Sequence, residues 1–77
     1  MTDINMAEID RIYCSRVHKV AEISMSLRND GYPLNKMLEE FKEGDMQAII
    51  LRAYEYPRGV IPNADFANDE MVRCLKG

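Results

Sequence analysis

Residues 6–30, MAEIDRIYCSRVHKVAEISMSLRND, hold the one pattern in this chain long enough to dictate a shape. Apolar residues recur at Met6, Ile9, Tyr13, Val17, Val20 and Leu27, with Ser24 as a small gap in the series. Steps of three and four residues place them along one side of an α-helix. Ile12, Ala21, Ile23 and Met25 widen that side, and Arg11, Arg16, Lys19, Glu22 and Arg28 are left mainly to the polar side. Asn5 and Glu8 form a capping-box-like pair at the start. Gly31 and Pro33 end the helix near Asp30, the first by taking the left-handed cap and the second by being unable to continue. The remaining segments are too short to be stable helices alone. They must pack on this one.

Three further helices follow from the same spacing rules. The turn at residues 29–33 leads to a short helix from Pro33 or Leu34 to Glu43, with Leu34, Met37, Leu38 and Phe41 on one face and Gly44 as its stop. Asp45 caps a third helix, Met46 to Tyr56, whose inner face is Met46, Ile49, Ile50, Ala53 and Tyr54. Pro57 stops it, because the residue before a proline is pushed away from helical angles. Residues 57–62, PRGVIP, form an extended connection with Val60 and Ile61 turned toward the core. A last helix starts after Pro62, capped by Asn63 or Asp65, and runs to Leu75 with Phe66, Ala67, Met71, Cys74 and Leu75 inside. The expected architecture is all-α: a compact bundle of four helices, one long and N-terminal, one short and two medium, in a single domain over residues 1–77. A chain this small has thin stability, so an added staple is common.

Composition narrows the function classes. Hydrophobic residues make up 47% and charged residues 30%, which suits a globular fold and not disorder. The net charge is −3, and the ten Lys and Arg residues are dispersed from Arg11 to Lys76 with no two adjacent. A nucleic-acid surface would want a dense basic patch. No apolar run reaches the length a membrane span needs. The opening residues have neither a basic region nor an apolar core, which leaves a cytoplasmic protein or a mature exported form with an added Met1.

Cys14 and Cys74 sit near opposite ends of the chain. Spacing alone leaves two readings: a disulfide closing a long loop, or two buried thiols acting as small hydrophobes. Around them lies a wider pattern: Cys14, then Arg28-Asn29-Asp30-Gly31, Ala53-Tyr54, Pro57, Pro62, Phe66 and Cys74. It resembles a group of small exported all-helical bacterial proteins with one disulfide, in which Asp is usual where Asn29 stands. The resemblance covers residues 14–74 and implies an exported domain closed by Cys14–Cys74. It implies no activity.

The candidate chemistry is sparse. His18, four residues after Cys14, shares a helix face with it, so Cys14, His18 and Cys74 have the makings of a zinc site or of a thiol–base pair. A disulfide would consume both thiolates, and no paired CxxC or orienting Asn or Asp accompanies them. No Gly-rich phosphate loop and no Gly-x-Ser-x-Gly occurs. Glu39, Glu40, Glu43 and Asp45 read as a solvated face, and the methionines at 6, 25, 37, 46 and 71 as core filling. Arg28, Asp30 and Tyr32 form a corner at the end of the long helix, and Tyr56 and Arg58 a second group. Tyr and Arg are favoured interface anchors, although Arg28 also suits carbonyl capping. The expectation is therefore a non-enzymatic protein with no cofactor and no metal. It binds another protein, a second copy of the chain included, but neither nucleic acid nor membrane. It would be periplasmic or secreted and of inhibitor or immunity type. The alternatives are a periplasmic acid-stress chaperone and a cytoplasmic or phage-encoded regulator with free thiols.

Overall fold

A computed structural model describes residues 6–56 and 62–77, with the side chains of the first helix described from Asp10 onward. Asn5 and Glu8 as a capping pair, Met6 and Ile9 as part of the apolar stripe, the PRGVIP connection and Arg58 therefore lie outside the described residues. Four helices are present: α1, Met6–Asn29; α2, Leu34–Glu40; α3, Gly44–Glu55; and α4, Asn63–Lys76. No strand occurs among the described residues. The all-α bundle with one long, one short and two medium helices is what the periodicity predicts.

The end of α1 is defined by backbone chemistry. Gly31 has φ +87°, the left-handed geometry that a side chain disfavours. Its N–H donates to the Arg28 carbonyl at 3.0 Å, and the Tyr32 N–H donates to the Leu27 carbonyl at 2.9 Å. Those two bonds are the Schellman pattern, completed by Leu27 and Tyr32 packing half-buried against the core. Pro33 then caps α2 in extended geometry.

The second and third helices depart from expectation at their junction. Helix α2 stops at Glu40, three residues early, because Phe41 turns extended and packs half-buried against the core. Gly44 does not stop α2; it is the first residue of α3, and Glu43 is the N-cap residue. The N-cap positions are Glu43 and Pro62, not Asp45 and not Asn63 or Asp65, and neither makes a side-chain cap bond. Asp45 sits inside the first turn instead, where its Oδ1 accepts the Met46 N–H at 2.9 Å. A carboxylate there is favoured by the positive end of the helix dipole.

Helix α1 is the spine. It packs most extensively on α4 and next on α3, while α2 lies on α3. Cross-links set the directions. Cys14–Cys74 joins one end of the α1–α4 pair, His18 meets Asn68 at 3.0 Å, and Asn29 meets Asn63 at 3.0 Å at the other end, so α4 runs antiparallel to α1. Helix α3 runs alongside in the same sense as α1, with Tyr13 bonded to Asp45 at one end and Arg28 to Tyr56 at the other. The core between them is Val17, Val20, Ala21 and Met25, Met37, Met46, Ile49, Ile50 and Ala53, and Phe66 and Ala67. Met25, Met37 and Met46 are wholly enclosed, so those methionines fill the core and do not line a groove. Tyr56 packs edge-on against Phe66 at 4.9 Å.

The thiols are joined: Cys14 and Cys74 form a disulfide with their Cα atoms 5.7 Å apart. This departs from the free-thiol alternative. Other departures come from helix rotation. Ile12 and Ile23 do not widen the buried stripe; they share an outward face with Arg16 and Lys19, and Ile12 is 69% exposed. Leu75, one residue and so about 100° around α4 from Cys74, is also exposed. Arg28 moves the other way, from the expected polar side to only 4% exposure. No helix among the described residues is long and apolar enough to cross a membrane.

Candidate functional site

One cleft of about 210 Å³ opens between α1, α3 and α4, next to the disulfide. Its residues come from three helix faces at three- and four-residue steps. Helix α1 supplies Tyr13 and Val17; α3 supplies Asp45, Ile49 and Arg52; α4 supplies Glu70, Arg73 and Cys74. That spacing puts each set on one side of its own helix. Val17, Ile49 and the Glu70 carboxylate are its buried lining, Arg52 and Cys74 are half-buried, and Tyr13, Asp45 and Arg73 stand exposed around them.

The rim is organised by hydrogen bonds. Arg52 Nε and Nη2 donate to the two Glu70 carboxylate oxygens at 2.9 and 2.7 Å, a bidentate fork between α3 and α4. Glu70 is 4% exposed, so the Arg52 fork supplies the hydrogen bonds that this buried carboxylate cannot take from water. The hydrogen bond from Arg52 to Glu70 in turn holds the guanidinium above its usual range. Across the cleft the Tyr13 hydroxyl donates to Asp45 Oδ2. That bond lowers the Asp45 carboxyl below its ordinary value and raises the Tyr13 phenol above its own. Beside it Arg16 donates to both oxygens of Glu43 at 2.8 and 2.7 Å, an exposed pair linking α1 to the start of α3. Such solvent-exposed pairs add little stability.

The corner singled out in the sequence is built differently. Arg28 points inward. Its Nη1 donates to the Ala53 carbonyl at 3.0 Å and to the Tyr56 carbonyl, and its Nε and Nη2 reach Asn29 Oδ1 at 3.2 and 2.8 Å. Those carbonyls belong to the end of α3, where the last helical acceptors have no partner within their own helix. Arg28 therefore caps a neighbouring helix and places its charge at the negative end of that helix's dipole. Tyr32 is tied twice: its hydroxyl donates to Glu40, and its carbonyl accepts the Tyr54 hydroxyl at 2.6 Å. The bond to Glu40 raises the Tyr32 phenol, and burial raises that of Tyr54. Tyr56 is half-buried on Phe66, and Asp30 is exposed. Of this group, Arg28 and Tyr56 serve the packing, while Asp30 and Tyr32 face solvent wholly or in part.

His18 bonds to Asn68, and the two sulfurs that would have completed its metal set are bonded to each other. Among the described residues no three His, Cys, Asp or Glu side chains are gathered to hold a metal ion.

No family model, no curated protein and no solved structure matches this chain. The resemblance to small exported helical proteins rests on its quoted residues alone.

Sequence reasoning missed the cleft. One signal for it was present. Glu70 stands four residues after Phe66 and four before Cys74, in the middle of the inner stripe of α4. A charge at that register needs a partner on the facing helix, and Arg52 is the cation on α3 that answers it.

Proposed function

We propose that the chain is a small protein-binding module, exported and closed by its disulfide, of inhibitor or immunity type, with the α1–α3–α4 cleft as its docking face. The cleft supports this reading: buried Val17 and Ile49 lie among Tyr, Arg and carboxylate side chains, of which Tyr13 and Asp45, and Arg52 and Glu70, hold each other in place. Protein interfaces have that anatomy, an apolar centre with a polar border and Tyr and Arg as anchors. Pinned side chains also lose less freedom on binding. Export is supported by the disulfide, since such bonds persist in oxidising compartments. The test is affinity capture from periplasmic extract with two baits, the native chain and a Tyr13→Ala/Arg73→Glu variant. The reading expects a stoichiometric protein held by the first bait and lost from the second. Equal retention by both baits would place the interface elsewhere.

A second reading, an acid-stress chaperone, has its own support. Arg16–Glu43 and Arg52–Glu70 pair a guanidinium with a carboxylate, and the Tyr13 and Tyr32 hydroxyls donate to the carboxyl groups of Asp45 and Glu40. Loss of carboxylate charge in strong acid would weaken the ion pairs and expose apolar faces. Circular dichroism and a client-aggregation assay at about pH 2.5 decide it: an intact fold with no client protection sinks the chaperone.

A further inference from the structure

We propose that the Cys14–Cys74 bridge exchanges with small external thiols through one sulfur only, which makes Cys74 Sγ a site of S-thiolation and Cys14 its buried resolving partner. An asymmetry across the bond carries this. Cys14 lies well inside α1 and is 1% exposed. Cys74 lies in the last turn of α4, is half-buried, and lines the open cleft beside Tyr13, Val17 and Arg73. Which sulfur of a disulfide is attacked depends on which one a thiolate can reach. From the cleft it reaches Cys74. To reach Cys14 it would first have to part α1 from α4, the most extensive packing in the fold. The cleft, at about 210 Å³, has room for the thiol-bearing end of a small molecule.

The thiolate of a small thiol attacks Cys74 Sγ. A new S–S bond forms between them, the Cys14–Cys74 bond breaks, and its electron pair leaves on Cys14 Sγ, which takes a proton from solvent. The small thiol is oxidised to the disulfide level and Cys14 is reduced to a thiol. Closure is the reverse: Cys14 gives up its proton, attacks Cys74 Sγ and expels the small thiolate. Both directions pass through Cys74. Packing of α1 on α4 and the contact of His18 with Asn68 at 3.0 Å hold the two helices together, so Cys14 stays in place to reclose the bond. The adduct sits in the cleft itself, so thiolation would compete with a protein docked there, although the exchange does not depend on that docking.

The experiment incubates the intact oxidised protein with excess reduced glutathione at about pH 8, close to the ordinary thiol value, while circular dichroism records that the helices stay folded. Samples are quenched in acid, free thiols are alkylated, and the mixed disulfide is located by peptide mass spectrometry. Cleavage after Arg11, Arg16, Arg73 and Lys76 puts Cys14 and Cys74 on separate peptides. The glutathionyl group is expected on Cys74 in excess of Cys14 by about tenfold or more, the factor that even a small opening free energy imposes on a buried sulfur. In denaturing urea the preference should fall to near parity. Cys14→Ser lacks the resolving sulfur, so with oxidised glutathione it should take up one glutathionyl group and keep it; folded Cys74→Ser should react about tenfold more slowly or less. If neither variant folds, the map on the native chain decides alone. Equal labelling of the two cysteines in the folded protein, or labelling chiefly on Cys14, overturns the assignment. An adduct that forms only in urea overturns the cleft as the way in.

Discussion

Replacing Arg28 with Ala separates a structural arginine from a recognition arginine. The guanidinium is buried at the end of α3, where Nη1 serves the Ala53 and Tyr56 carbonyls. Alanine removes both donations. The Ala53 carbonyl keeps the Tyr56 N–H at 3.3 Å, so the larger loss falls on the Tyr56 carbonyl. Leaving an acceptor of this kind unsatisfied costs about 1–3 kcal/mol. Removing the positive charge from the negative end of α3 adds about 1 kcal/mol. The expected loss is about 3 kcal/mol, a large share of the roughly 4–12 kcal/mol open to a chain of this size. Urea unfolding of the oxidised protein followed by far-UV circular dichroism reads it as a lower midpoint at constant slope. Arg16→Ala, which breaks only the half-exposed pair with Glu43, is the control and should cost less than about 1 kcal/mol. An Arg28→Ala loss no larger than that of Arg16→Ala would refute the capping role and return Arg28 to the candidate partner surface.

Other consequences are as specific. Cys14→Ser/Cys74→Ser opens a loop spanning a separation of 60 residues and should cost about 4 kcal/mol on the chain-entropy account, seen as a drop in urea midpoint relative to the oxidised parent. Glu70→Gln strips the fork from a partly exposed Arg52 and should lower stability by about 1–2 kcal/mol, whereas Glu70→Leu, which matches the Phe66 and Ala67 surroundings, should recover most of that loss in thermal unfolding. The Asp45 carboxyl is lowered in the folded state, so its contribution is present above the unfolded value near pH 4 and is lost as pH falls through the folded one. The Tyr13 phenol is raised, so its contribution is present below the unfolded value near pH 10 and lost as pH rises through the folded one. Asp45→Asn should therefore flatten the acid limb of a plot of urea midpoint against pH, and an unchanged limb would contradict the assignment of that link.

The fold was legible because α1 and α3 repeat apolar residues at helical steps and because Gly31-Tyr32-Pro33 carries its own stop chemistry. What escaped was rotation and partnership. Periodicity marks a stripe but not its edges, so it draws Ile12 and Ile23 inward although they share a face with Arg16 and Lys19. Length also misled at Phe41: its apolar side chain fits a helical face, but the chain buries that side chain by leaving the helix. Arg28 was legible as a carbonyl cap, but not as the cap of a different helix, since α3's carbonyls reach it only through tertiary packing. The cleft is a product of three helices meeting. Glu70 alone announced it, as a charge at a core register. Spacing alone leaves the pairing of Cys14 with Cys74 between two readings, and the resemblance implies the bridge; the antiparallel docking of α4 on α1 is what brings the two sulfurs together.

Placing a photo-crosslinking benzoylphenylalanine at position 13, on the cleft rim, and in a second protein at position 19, on the outward face of α1, tests the docking face most directly. Irradiation in periplasmic extract should, on the proposed reading, give one adduct of defined mass from position 13 and none from position 19. Adducts of equal yield from both positions, or from position 19 alone, would contradict the proposal that the cleft is a docking face.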